Sequence, residues 1–410
     1  MRQPFAMTTR NSALRRHNRR LLLLALLANQ PVSRIRLARL TGLSTTTITN
    51  LTADLMAEGV IDEMGVDAIA QSKGAGRPPL ALRLAPDSRY AIGVHVGVRT
   101  VRVALCNLMA TVQEEATFPI VAGSPPGSVI DQVVAIVTDL RARHPRVNEA
   151  RRLAGVGVGA SGLVDGLTGV NYLAPNLGWR DVPLRDLFQT ALNLPVTMDN
   201  NVRYMALGES LYGAGRGVRA LAFVFARVGL AAGLVVDGKI YRGAGYGAGE
   251  IGHWMMMPER PDRAPRVALE DLLSERTLVR LAREMAPDAL PRASTDTVEE
   301  MHALLAAARA GHGPVRAMLA ERARVLGVAM ANLADVLNPE RLILGGYLAE
   351  GFDLFAPTLT AAMRRYAFAG LADKVEILPA TFGSRAGVVG AAAGALNRFF
   401  FGAAASETDW

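Results

Sequence analysis

This 410-residue sequence predicts an α/β protein with a small helical head and a body of two lobes. Three observations carry that prediction. Basic charge is concentrated near the start, a glycine-centred pair of strand patterns occurs twice in the body, and a long stretch of helical periodicity follows at 301–338.

Length and composition set the frame. At the usual size of domains the chain makes roughly two or three of them. Half of the residues are apolar, enough for sizeable cores. The single cysteine, Cys106, excludes an internal disulfide and a cysteine-built zinc site, which fits a reducing cytoplasm. Residues 1–85 hold twelve basic and five acidic residues, so +7 of the net charge of +8 sits there. A basic segment joined to a near-neutral body points to a polyanion partner at one end only. The apolar run LLLLALLA at 21–28 follows four arginines, but NQPVSRIRLARLTG continues as another amphipathic segment where a secretory signal needs a cleavage site. No apolar stretch approaches the ~20 residues that cross a bilayer, so no membrane partner is expected.

The head reads as a winged helix-turn-helix over 1–86. After a first helix at about 12–29, the first patterned helix starts at Ser33 as cap, buries Ile35, Leu37, Ala38 and Leu40, and stops at Gly42. In the second, Ser44 is the cap and Ile48, Leu51, Leu55 and Met56 form the apolar stripe. The remaining face carries Thr45, Thr46, Thr47, Thr49 and Asn50, short hydrogen-bonding side chains near a helix N-terminus that suit phosphates and base edges. VIDEMG and ALRLAP read as the wing strands, with Lys73 and Arg77 at a slim tip formed by Gly76 and Pro78 and suited to a minor groove. The expected DNA-binding set is Arg34, Ser44, Thr45, Thr46, Thr47, Thr49, Asn50, Lys73 and Arg77.

From Tyr90 the pattern changes. YAIGVHVGVRTVRVALCNL is two apolar strands around a glycine-containing turn, and ALAFVFARVGLAAGLVVDGKIY at 220–241 repeats the unit. The pair predicts a duplicated α/β lobe with a cleft between. SPPGS at 124–128 reads as a surface loop. GVGASG at 157–162 has the spacing of a dinucleotide fingerprint, but no helix pattern follows, so the match reads as chance.

RGAGYGAGEIGH at 242–253 resembles the signature of the ROK family (repressors, open reading frames and sugar kinases), and GASGLVDG, APNLGW, MDNNVRYMALGES and NPERLILGG follow the family's order. The resemblance implies an actin-like, ribonuclease H-like sugar-kinase fold, with lobes at 87–200 and 201–410 and a C-terminal helix returning to the first lobe. The family divides into sugar kinases and transcription factors that carry a DNA-binding head.

Phosphorylating a sugar needs a carboxylate base and loops that hold metal-bound ATP. By resemblance the base position is Asn201, and an amide accepts no proton at neutral pH. Asp199 lies two residues earlier and would have to move to replace it. The first phosphate loop becomes His95, Val96, Gly97, Val98 and Arg99, and the second becomes Arg227, Val228 and Gly229. A lost carboxylate, a lost hydroxyl and an arginine in place of a glycine all act against ATP. The family's zinc cysteines are missing after His253, so the loop there must be held by packing, through Trp254 and the three methionines that follow.

The sugar contacts are better kept. By resemblance Asn176, Asn200, Glu250, His253 and Glu270 match positions that grip a monosaccharide, and Asn201 can hydrogen-bond a hydroxyl. The expectation is a cytoplasmic, sugar-responsive repressor, a homodimer or dimer of dimers, with operator DNA and a monosaccharide or sugar phosphate as partners. No cofactor or metal and no kinase activity are expected. The alternative is a sugar kinase with a fused DNA-binding head.

Overall fold

A computed structural model describes residues 5–66, 80–256, 267–291 and 296–402. The chain forms two units, residues 1–201 with 387–410, and Val202–Ala386. Among the described residues no helix is long and apolar enough to cross a membrane.

The first unit opens on α1 (Phe5–Asn29), which starts well ahead of the position its apolar pattern predicts. Leu22, Leu23, Leu26 and Leu27 are its buried face. β1 (Val32–Ser33), α2 (Arg34–Thr41) and α3 (Thr45–Ala57) follow, then β2 (Ile61–Val66) and β3 (Leu80–Leu84). The three strands form an antiparallel sheet in the order β1-β3-β2. Gly42 closes α2 in the left-handed region at φ 69°. Two expectations for α2 fail. Ser33 occupies the cap position but its side chain does not cap the helix, and of the predicted apolar side only Leu37 is buried, while Ile35 and Leu40 stand 54% and 47% exposed. A helix of eight residues turns only about twice, so few of its positions can face one core.

The rest of this unit is one five-stranded sheet, built from β4 (Tyr90–Val96), β5 (Thr100–Asn107), β6 (Val112–Pro119), β7 (Leu153–Ala160) and β11 (Val196–Asn200) in the order β11-β7-β4-β5-β6. A small sheet of β8 (Leu163–Val164), β9 (Asn171–Ala174) and β10 (Trp179–Val182) lies between β7 and β11 in the chain. Alternation sorts the faces of the large sheet. Ile92, Val94, Val96, Val156 and Val158 share a core with Val129, Ile130, Val133, Val137 and Leu140 of α4 (Pro126–Arg143) and Leu184, Phe188 and Leu192 of α5 (Leu184–Leu192). Contrary to expectation, the prolines of SPPGS do not stay in a loop: Pro125 caps α4 and Pro126 begins it, because a proline at the first helical position loses no hydrogen bond.

The second unit begins with α6 (Asn201–Tyr212), whose first residue still belongs to the first, and repeats the sheet plan. β12 (Ala220–Ala226), β13 (Leu230–Val236) and β14 (Lys239–Tyr241) are antiparallel, and β17 (Arg341–Gly346) and β18 (Glu376–Pro379) continue beside β12 in parallel. The first sheet has the same plan: an antiparallel run of three, then two parallel strands. β15 (Met255–Met256) pairs with β16 (Val267–Ala268). Around one apolar core lie α7 (Leu269–Leu273), α8 (Glu275–Met285), α9 (Thr297–Arg309), α10 (Gly313–Leu337), α11 (Tyr347–Glu350) and α12 (Phe352–Tyr366). The helical pattern at 301–338 is α9 and α10. The chain re-enters the first unit through α13 (Ala386–Ala395), which ends in a turn of π-helix over Leu396–Phe400.

Candidate functional site

The head presents α3 with its hydroxyl face outward. Ser44 Oγ caps it by accepting the Thr47 backbone N–H at 3.1 Å, as its sequence position predicts. Ile48, Leu51, Thr52 and Leu55 face the core. Thr45, Thr46, Thr49 and Asn50 are exposed and Thr47 is half-buried. The Thr47 and Ser44 hydroxyls bond each other at 2.8 Å, and Thr49 Oγ1 donates to the Thr45 carbonyl at 2.9 Å. Lys73 and Arg77, with Gly76 and Pro78, lie outside the described residues.

Ion pairing explains where the head keeps its charge. Arg15 meets Asp54 at 2.8 Å, Arg19 grips Glu58 with bonds of 2.9 and 2.8 Å, and Arg83 lies 3.8 Å from Asp62. Arg34, expected at the DNA, bonds Glu63 at 2.9 Å and Thr52 Oγ1 at 3.1 Å, bracing α2 against α3 and β2. Asp54, Glu58, Asp62 and Glu63 are thus each met by an arginine of the head.

In the body, the first unit holds Asn176, Asn200 and Asn201. Asn176 sits exposed on the single turn Pro175–Leu177. β11 delivers Asp199 and Asn200 to its end, and α6 starts at Asn201, so the three polar side chains follow directly from the strand-to-helix junction. Asn200 Nδ2 donates to the Gly162 carbonyl at 2.9 Å, and Asn201 Nδ2 donates to Ser161 Oγ at 3.1 Å. Asp199 is fully buried, and its Oδ1 accepts the Asn200 backbone N–H at 2.8 Å. The GASG stretch that reads as a chance fingerprint is therefore what orients both amides. No helix follows it, but Ser161 and Gly162 accept the bonds of both amides, and sequence reasoning missed them. Gly162 is needed for its backbone: at φ 106°, a Cβ would overlap the Leu173 carbonyl.

The second unit gathers Glu250, His253 and Glu270, and adds Arg203, which the sequence did not single out. Arg203 is 2% exposed, and its Nη1 donates to the Tyr246 carbonyl at 2.6 Å, where the signature loop passes through a left-handed residue at φ 56°. Burial pushes the Glu250 carboxyl above its ordinary range; the charges of Arg203 and His253 pull it down and that of Glu270 pushes it up. His253 is exposed. Glu270 Oε2 accepts the Leu230 backbone N–H at 2.8 Å, so one of its oxygens is engaged in holding the turn before β13. The packing expected to hold the loop after His253 is partial. Trp254 and Met256 pack on the core, Met255 is 51% exposed, and Met257 lies outside the described residues.

The two hairpin turns that resemble phosphate loops differ. His95, at the end of β4, has Nδ1 buried without a hydrogen-bond partner, and burial, with Arg102 nearby, lowers its pKa to about 4. Arg227, just after β12, is gripped by two carboxylates: Nη1 bonds Glu275 at 2.6 Å and Nη2 bonds Glu350. Its stem runs beside Gly346, where a Cβ would come 3.1 Å from Arg227 Cγ. Glu275 is 1% exposed. The guanidinium is thus fixed at the turn after β12 by two carboxylates.

Comparison with known proteins places this geometry. The ROK family model matches residues 91–398. A xylose repressor from Caldicellulosiruptor bescii is 30% identical over 93% of this chain and 95% of its own length. A glucokinase from Halalkalibacterium halodurans is 31% identical, but covers 74% of this chain and 93% of its own. The crystal structure of a ROK family transcriptional regulator, a homologue of the E. coli MLC protein, superposes with a TM-score of 0.75 at 21% identity, covering 94% of this chain and 97% of that one. At that identity the likeness speaks for the fold, and the fold is the α/β sugar-kinase type expected from the sequence.

Proposed function

The chain belongs to the ROK family, and on that premise we propose that it is a cytoplasmic, sugar-responsive repressor that no longer transfers phosphate. One observation carries the reading: the likeness to the xylose repressor runs through the head, while the glucokinase accounts for 74% of the chain. We read the head as a winged helix-turn-helix. α3 enters the major groove and offers Thr45, Thr46, Thr49 and Asn50 to base edges, with Ser44 and Thr47 at its phosphate-facing start. Lys73 and Arg77, which come between β2 and β3 in the chain, are the proposed minor-groove contacts. Arg34 acts through the brace it forms with Glu63 rather than as a free cation.

The effector is a monosaccharide or sugar phosphate, held by Asn176, Asn200, Asn201, Glu250, His253 and Glu270. Amides and carboxylates in that number suit a polyol. The chain works as a homodimer or dimer of dimers, since such heads read paired half-sites. Induction requires the sugar to bind the DNA-free state more tightly. Asn201 cannot take a hydroxyl proton and Arg227 fills a turn that ATP phosphates would need, so the sugar is a signal rather than a substrate.

Calorimetry and ADP release, measured on one sugar panel with magnesium ATP, test this. The expected result is heat with at least one sugar and no ADP with any; turnover at the rate of ordinary kinases would overturn it. Thr46→Ala should lower affinity for the operator by about 1–3 kcal/mol and leave random DNA nearly unchanged. Equal losses on both duplexes, followed by fluorescence anisotropy, would exclude a base-reading role.

A further inference from the structure

The first unit contains a rod-like element that no part of the sugar or DNA reading uses. α13 lies on the face of the large sheet opposite α4 and α5, and glycines remove the side chains from its path. A Cβ on Gly93 of β4 would overlap the Val388 carbonyl, one on Gly157 of β7 the Ala391 carbonyl, and one on Gly155 the Phe399 ring. At the start of the helix a Cβ on Gly387 would come 2.5 Å from the His95 ring. Contact positions 387, 388, 391, 395 and 399 fall on one face at helical spacing. The helix is itself AGVVGAAAGA, so smooth surface meets smooth surface. Such a contact has few interlocking side chains to resist sliding.

The two ends of this rod matter. Its start is where the chain arrives from the second unit, at Ala386–Gly387. Its end is the π-helical turn Leu396–Phe400, and that turn touches the head. Arg20 Nη1 of α1 donates to Asn397 Oδ1 at 3.3 Å. The Arg89 guanidinium lies 5.7 Å over the Phe400 ring and 3.7 Å from Glu58, the C-cap of α3. Arg89 Nη1 also donates to the Ser88 carbonyl at 2.7 Å, fixing it in the linker between head and sheet. Glu58 is held in turn by Arg19. A displacement of the π-helical turn therefore has a short route to the end of the helix we read as the recognition helix.

We propose that α13 is the transmission element between body and head, and that Arg89, bridging Phe400 and Glu58, is the positioning residue that passes its displacement to α3. This rests on the regulator reading above. Coupling is reciprocal, so DNA on the head must be felt at the π-helical turn.

Hydrogen exchange on the full chain, free and saturated with a duplex of the DNA upstream of its own coding sequence, tests the proposal without knowing the sugar. In the unaltered protein DNA should change exchange in 396–401 by about five-fold or more. In Arg89→Met, which keeps an apolar stem on Phe400 and leaves Glu58 paired to Arg19, the change should vanish while DNA is still bound. Asn397→Ala should reduce it. DNA binding with no change at 396–401, or an equal change in Arg89→Met, overturns the proposal. So does faster exchange across the whole free Arg89→Met chain, which would make Arg89 a brace and nothing more. Absence of DNA binding at low salt would overturn the regulator reading itself, and the coupling with it.

Discussion

At the end of β4 the first lobe places an imidazole whose buried Nδ1 carries no bond, whereas at the turn after β12 the second lobe places a guanidinium held by two carboxylates. The sheets around them share one plan, so the difference lies in the residues at these strand ends and in what packs against them. On the reading proposed above, each turn fails to suit a phosphate for a different reason. By the family resemblance, the first carries in place of a carboxylate an imidazole that burial keeps neutral at ordinary pH. The second has supplied its own cation and its own anions, so the turn is already filled. A lobe can thus keep its hairpin while its chemistry is replaced, because the hairpin is stabilised by strand pairing and apolar burial rather than by the turn.

The largest expected effect is at the second turn. Arg227→Ala leaves Glu275 buried without its guanidinium, and breaking a buried pair in this way costs about 3 kcal/mol or more. Denaturant unfolding should show the loss, and a change below about 0.5 kcal/mol, the level of a surface substitution, would mean that the pair does not hold the turn.

The first turn should respond to acid instead. His95 titrates near 6.5 when unfolded and near 4 in the fold. Between those values the unfolded chain binds the extra proton, so stability present above pH 6.5 is lost as pH falls toward 4. The contribution is about 3 kcal/mol across that window. His95→Asn should flatten that part of the stability profile, and an unchanged slope would show the imidazole is not the source.

The smallest effect expected is none at all. Asn201→Asp returns a carboxylate to the position the family resemblance assigns to the base, yet ADP release with magnesium ATP should stay at background, because both turns remain altered. Turnover in this single variant would show that the turns still accept a nucleotide and would erase the contrast between them.

Much of this was legible in the sequence, for physical reasons. The hairpins at 90–108 and 220–241 show as apolar, β-branched runs around a glycine-containing turn, and Ser44 with Ile48, Leu51 and Leu55 fixes α3, because local patterning decides what is buried. What stayed hidden depends on contacts between distant residues. Nothing near Arg34 announces Glu63, and nothing near Arg203 announces the Tyr246 carbonyl. Gly157 of β7 looks like part of a fingerprint until α13 is seen lying on it. Ile35 and Leu40 looked like core because helical spacing cannot tell how many neighbours a short helix has.

The central claim, that the sugar is a signal read out on DNA, is tested most directly by anisotropy of a labelled duplex from the chain's own upstream region, titrated with the protein in the presence of each sugar. Tight, salt-sensitive binding that one monosaccharide or sugar phosphate weakens by about five-fold or more is the expected result. Binding that no sugar alters, in a protein that calorimetry shows to hold one, would contradict it.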